Sequence, residues 1–95
     1  MTASALSQIS SELNRGLVHH QQGELDQARR VYHNVLKRAP DDVDALRLLA
    51  TLEMQRSRHR EAEQLAAQAL AAAPAQAATQ NTMGQVLSAQ GRFDE

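Results

Sequence analysis

Residues 28–40 read ARRVYHNVLKRAP, and residues 62–74 read AEQLAAQALAAAP. They lie 34 residues apart, so Ala28 falls on Ala62, Leu36 on Leu70, Ala39 on Ala73 and Pro40 on Pro74. The same shift carries Gly16 onto Ala50 and then Gly84, and Val18 onto Leu52 and then Val86. Gly23 falls on Ser57 and then Gly91, while Leu25, His59 and Phe93 form a looser series. No insertion or deletion breaks the register. A fixed period of this size is the mark of a repeat architecture, in which each unit buries its apolar face on its neighbours.

Within each unit the apolar spacing predicts two helices. The first runs from about Ala3 to Gln22, with Leu6, Ile9, Leu13 and Leu17 at helical spacing, and Gly23 breaks it. The second runs from about Asp26 to Arg38, with Ala28, Val31, Tyr32, Val35 and Leu36 on one face. Pro40 stops it, because proline disfavours helical geometry in the residue before it and donates no backbone hydrogen bond. Asp41 and Asp42 then offer oxygens to the bare amides of a third helix, about Val43 to Gln55, whose buried stripe is Leu46, Leu49, Ala50 and Leu52. A turn at Ser57 leads to a fourth helix, about Arg60 to Ala72, ending before Pro74. A fifth, about Gln76 to Ala89, carries Met83, Val86 and Leu87 and is closed by Gly91. The short connections make consecutive helices antiparallel. Small residues at Gly16, Ala50, Gly84, Ala28 and Ala62 are expected to let paired backbones approach closely.

Composition agrees with helices and narrows the chemistry. The chain is 42% hydrophobic but only 2% aromatic, with Tyr32 and Phe93 its two aromatic residues, so the core is built from Leu, Val, Ala and Met. A formal charge of −1 gives no electrostatic attraction to nucleic acid or an anionic membrane. With no cysteine, disulfides and thiolate metal sites are excluded. The start, Met1 to Leu6, has neither the basic nor the apolar region of a secretory signal, and no apolar run approaches the roughly 20 residues that span a bilayer. A soluble cytoplasmic protein is expected.

These features together resemble the tetratricopeptide repeat, a 34-residue helix–turn–helix with the pattern W-x2-L-G-x2-Y, A-x3-F and P. The second unit matches it at Leu46, Leu49, Ala50, Ala62 and Pro74; the first matches at Gly16, Ala28, Tyr32 and Pro40. The third contributes Met83, Gly84, Leu87 and the turn Gly91 to Glu95. The resemblance implies an all-α fold, a right-handed superhelical stack of antiparallel helix pairs with five helices. It divides one domain, 1–95, into a repeat at about 9–42, a second at 43–76 and a partial third at 77–95. The chain departs from the pattern where Glu12, Arg15 and His19 stand at usually apolar positions, which reads as the polar cap of a terminal unit. A slight rotation of the first helix would bury Leu13 and Leu17 instead. Ala66 replaces a large aromatic, implying either tight packing or a weak point. The chain stops at Glu95 where a partner helix is expected, which predicts a longer parent protein.

No constellation in the sequence supports catalysis or a cofactor. His19, His20, His33 and His59 lack the H-E-x-x-H spacing, and adjacent His19 and His20 diverge by about 100° on a helix, so no metal is expected. The basic run Arg56 to Arg60 lacks aromatic stacking residues, lies beside Glu61 and Glu63, and reads as a solvated turn rather than a nucleic-acid patch. There is no cysteine nucleophile, G-x-S-x-G, phosphate loop or dinucleotide fingerprint. The chain is therefore read as a non-enzyme.

In the family resembled, the first helix of each pair lines a concave wall that takes peptides or partner helices. The corresponding lining is Asn14, Leu17, His20 and Gln21 in the first unit. The second offers Arg47, Thr51, Met54 and Gln55, and the third Asn81, Gln85 and Ser88. The Lys, Asn and Arg set that clamps chaperone C-termini is absent, since Leu13, Leu17, Leu48, Ala78 and Thr82 stand there. The asparagine ladder of O-linked N-acetylglucosamine transferases survives only at Asn14. The expected function is a non-catalytic scaffold for a protein or peptide, with no nucleic acid and no membrane as partner. Two other readings remain. One is a substrate-positioning arm of a larger bacterial transferase of sulfotransferase or glycosyltransferase type, because residues 20–25 are similar to first repeats of such proteins. The other is a homo-oligomer formed through the C-terminal helix.

Overall fold

The computed structural model describes the backbone of residues 3–91 and the side chains of residues 7–91. The side chain of Leu6 and the turn residues Arg92, Phe93, Asp94 and Glu95 lie outside the described residues. Five helices follow one another: α1 (Ala3–Gln21), α2 (Leu25–Arg38), α3 (Val43–Gln55), α4 (His59–Ala72) and α5 (Ala77–Ala89). Among the described residues there is no strand. Each boundary lies within one residue of the expected one. α2 and α4 start one residue early, at Leu25 and His59, while α1 ends at Gln21 and α5 starts at Ala77.

The helix ends repeat as faithfully as the sequence does. After α1, Gly23 takes a φ of +80°, its amide donates to His20 O at 3.1 Å and the Glu24 amide to His19 O at 2.9 Å. This pair of bonds closes the helix in a Schellman motif. After α3 the same two bonds run from Ser57 to Met54 O and from Arg58 to Glu53 O, at 3.0 and 2.8 Å. Ser57 has a φ of +63° there, a conformation that favours glycine because a Cβ crowds the carbonyl. α2 and α4 end differently, on Ala39 and Ala73 ahead of the two prolines. Of the two aspartates that follow Pro40, Asp42 supplies the cap, its Oδ1 accepting from Ala45 N at 2.9 Å, while Asp41 is exposed. α5 has no such cap: the buried Thr79 hydroxyl instead shares its one proton between Ala73 O and Gln76 O, at 2.6 and 2.8 Å.

α1 packs on α2 and α3 on α4, with α5 against α4. α1, α3 and α5 touch in series, α2 fills the seam between α1 and α3, and α4 fills that between α3 and α5. The result is an all-α solenoid of antiparallel helix pairs. One apolar cluster joins Ile9, Leu13, Ala28, Tyr32, Val35, Ala45, Leu49 and Leu52, and a second joins Ala50, Ala62, Ala66 and Val86. Half-buried Leu65 packs against both. Leu46, Leu49 and Leu52 are essentially inaccessible, and each such burial contributes roughly 2 kcal/mol. Ala66 is fully buried in the second cluster, so tight packing is what replaces the missing aromatic ring.

The expected close approaches are realised unequally. Gly16 is buried against α2, with the Tyr32 ring in the space a side chain would need. Ala28, Ala50 and Ala62 are fully buried. Gly84 corrects the expectation: it is exposed and nothing lies within 4 Å of where its Cβ would stand. No helix among the described residues covers it as α2 covers Gly16. Leu36 and Leu17 are only half-buried, whereas Leu13 is buried.

The outer side of α1 carries polar groups, as the departures from the pattern imply. Glu12 pairs with Arg38 of α2, and His19 pairs with Glu24 at 2.9 Å. Arg15 is exposed, and Val18 is 50% exposed where its counterparts Leu52 and Val86 are fully buried. Those two pack on a preceding helix; no described helix stands in that place beside Val18.

Candidate interaction surface

Two clefts open on the face made by α1, α3 and α5. The smaller, about 280 Å³, lies between α1 and α3 and is lined by Ser10, Leu13, Asn14, Leu17, Asp44, Arg47 and Leu48. The larger, about 720 Å³, lies between α3 and α5 and is lined by Met54, Gln80, Asn81, Gly84, Gln85, Ser88 and Ala89. Of the residues expected to line one wall, Asn14, Leu17 and Arg47 fall in the first cleft, and Met54, Asn81, Gln85 and Ser88 in the second.

The remaining four stand apart from both clefts. Gln21 is exposed at the end of α1. Thr51 is half-buried on α3, and its hydroxyl donates to Arg47 O at 3.1 Å, one turn back. His20 and Gln55 are engaged with each other, His20 Nε2 lying 2.7 Å from Gln55 Oε1. Because an amide oxygen only accepts, the imidazole carries its proton on Nε2 and donates it. Nδ1 is then left to accept from the Tyr32 hydroxyl, 3.2 Å away. Tyr32 is fully buried, and burial pushes its phenol up to about 12. The chain Tyr32–His20–Gln55 thus ties α2, α1 and α3 together.

The two clefts differ in electrostatics. In the smaller one the Arg47 guanidinium is held by Asp44 at 2.7 Å, one turn earlier on α3, so cation and anion are presented together. The larger has no charged lining residue: three side-chain amides and one hydroxyl surround a methionine and two residues with little or no side chain. Amides both donate and accept, which suits a peptide backbone, and Met54 offers an adaptable apolar contact.

Sequence reasoning missed Ser10 and Asp44 in the first cleft and Gln80, Gly84 and Ala89 in the second, and it placed Leu13 and Leu48 at the family's clamp positions without counting them among the lining. A signal for several was present. Moving the chosen residues Arg47, Asn14 and Gln55 by one period lands on Leu13, Leu48 and Ala89, and Ser10 and Asp44 are themselves 34 apart. Among the described residues no group of three His, Asp or Glu side chains is placed to hold a metal ion. No described helix is long and apolar enough to cross a membrane.

No curated protein matches the chain. A protein-family model described as tetratricopeptide repeat matches residues 13–77, from the second half of α1 to the first residue of α5. Repeats of this kind generally mediate interactions between proteins. The matched span, the 34-residue register and the stacked helix pairs agree, and the chain belongs to the tetratricopeptide repeat family.

Proposed function

We propose that the chain is a non-catalytic interaction scaffold that holds an extended peptide segment of a partner protein against the face of α1, α3 and α5. In this reading residues 9–42 and 43–76 are two repeats and 77–95 the opening of a third, acting as one recognition unit. The observation that carries it is the larger cleft, where Asn81, Gln85 and Gln80 surround Met54 without any charge. Such a lining favours a segment that is itself uncharged there and offers backbone amides.

The test is selection of binders from a displayed library of random unstructured peptides, followed by titration of the enriched sequences against variants. Changing Asn81 and Gln85 together to Ala is expected to weaken them about tenfold or more, since each hydrogen bond is worth about 1 kcal/mol, with helicity unchanged. Unaltered affinity in the double variant would remove the cleft from the reading.

Self-association through α5 is a second reading, favoured by Gly84. Its surface is open, whereas the equivalent Gly16 and Ala50 are buried against helices. A helix of a second copy would fit there. Light scattering over a concentration series decides this, and a monomer at every concentration would rule it out.

A further inference from the structure

The solvent-facing side of α2 carries a cationic surface. A shallow cleft of about 510 Å³ is lined by Arg29, Arg30, His33, Asn34 and Lys37, with no acidic residue among them. α2 holds four Arg or Lys and one acid, Asp26, in a chain whose overall formal charge is −1. Positive charge is therefore concentrated here against the balance of the molecule.

Packing does not account for it. One repeat later the same positions are Glu63, Gln64, Ala67, Gln68 and Ala71, so the helix pair forms without cations at these places. Core positions behave oppositely, Ala28 and Ala62 being identical and both fully buried. Ion pairing accounts for only part of the cluster. Arg38 is taken by Glu12, and Arg29 lies 3.4 Å from the buried Glu53 carboxylate. Asp26, one turn earlier, is occupied by Arg56 at 2.7 Å. Arg30 and Lys37 are exposed and have no ion pair among the described residues. The neighbouring charge is felt by His33, whose imidazole is held below its ordinary value, first by burial and then by Arg29 and Lys37, with Glu53 opposing.

We propose that this α2 face is a second interaction surface, which docks an acidic segment of a partner protein through Arg30 and Lys37. Seven residues of helix separate the two, a rise of about 10 Å, so the segment must carry carboxylates at a similar spacing. None of the α2 residues lines the clefts of the α1, α3 and α5 face, so the two surfaces can be occupied independently. A protein segment is favoured over nucleic acid because no Phe, Tyr or Trp lines the patch as a platform for base stacking.

Fluorescence anisotropy with a labelled glutamate-rich peptide, its glutamine counterpart and a single-stranded oligonucleotide tests this on the full chain. The wild-type protein is expected to bind the glutamate peptide at low salt, to release it as salt rises and to ignore the glutamine peptide. The variant R30Q/K37Q is expected to weaken the glutamate peptide about tenfold, and R30K/K37R to retain it. The control R15Q/R60Q removes two exposed cations elsewhere and is expected to leave binding unchanged. Equal loss in the control would reduce the effect to net charge and overturn the proposal. So would tighter binding of the oligonucleotide than of the peptide, or no binding of the peptide by wild type.

Discussion

The Tyr32 ring occupies the space a side chain at Gly16 would need: a Cβ there would stand 2.7 Å from Tyr32 Cε1 and 3.0 Å from Val31 Cγ1. Gly16→Ala is therefore expected to destabilise the fold by about 1–3 kcal/mol through overpacking, although alanine is the better helix former. Gly84→Ala, in the open equivalent position, should stabilise by about 0.5–1 kcal/mol. Urea unfolding of both variants gives the two signs. The same sign for both would contradict the difference in packing.

Ser57 closes α3 in the left-handed conformation that Gly23 and Gly91 adopt at the equivalent turns, with φ values of +63°, +80° and +73°. Ser57→Gly should remove the crowding of its Cβ and raise stability by about 0.5–1 kcal/mol, after the greater freedom of glycine in the unfolded chain is subtracted. The thermal midpoint reports it, and an unchanged or lower midpoint would count against strain at this turn.

Glu53 is only 2% exposed, with Arg29 at 3.4 Å and Arg58 at 3.7 Å as counter-charges. Its Oε1 makes no hydrogen bond. A buried ion pair of this quality adds little over an apolar residue of similar size, so Glu53→Met is expected to lie within about 1 kcal/mol of wild type. Replacing Arg29 and Arg58 together by Met leaves the carboxylate buried without a partner and should cost roughly 2 kcal/mol or more. Chemical denaturation ranks the two: a Glu53→Met cost well above 1 kcal/mol would show the ion pairs to be net stabilising, and the reverse order would show that the arginines are not what compensates the buried carboxylate.

Tyr32 is the single tyrosine, so phenolate absorbance near 295 nm reports one site. Its folded-state value of about 12 lies above the ordinary one near 10. The buried neutral phenol contributes stability that is complete below pH ~10 and is lost as pH rises towards 12. In an alkaline titration the phenolate signal is expected to lag behind that of free tyrosine or to rise together with loss of helical circular dichroism. Ionisation near pH 10 with full helicity would show the hydroxyl to be accessible.

The repeat register made the helices legible, because Pro40, Pro74, Gly23 and Ser57 punctuate the chain and Ala28 and Ala62 mark the contacts. The side of each helix that meets a neighbour was harder to read. Gly84 shares its sequence position with Gly16, yet burial needs a partner helix, and a local pattern cannot show whether one is present. Periodicity alone presents the candidate surface as a single wall. It is divided because Thr51 turns its hydroxyl back to Arg47, and because His20 and Gln55 bond to each other. Those bonds depend on distances between α1, α2 and α3, which periodicity does not contain. The α2 cations do not stand out in the sequence because each is an ordinary surface residue alone. Only comparison with Glu63, Gln64 and Ala71 makes them unusual.

α3 is the one helix that touches all four others. Among the described helices α5 meets only α3 and α4, so fewer neighbours hold it than hold α3. Arg47 and Met54 therefore stand on the described helix with the most neighbours, while Asn81 and Gln85 stand on one with fewer. A guest spanning both would act as a clasp, lending α5 the support that α3 already has.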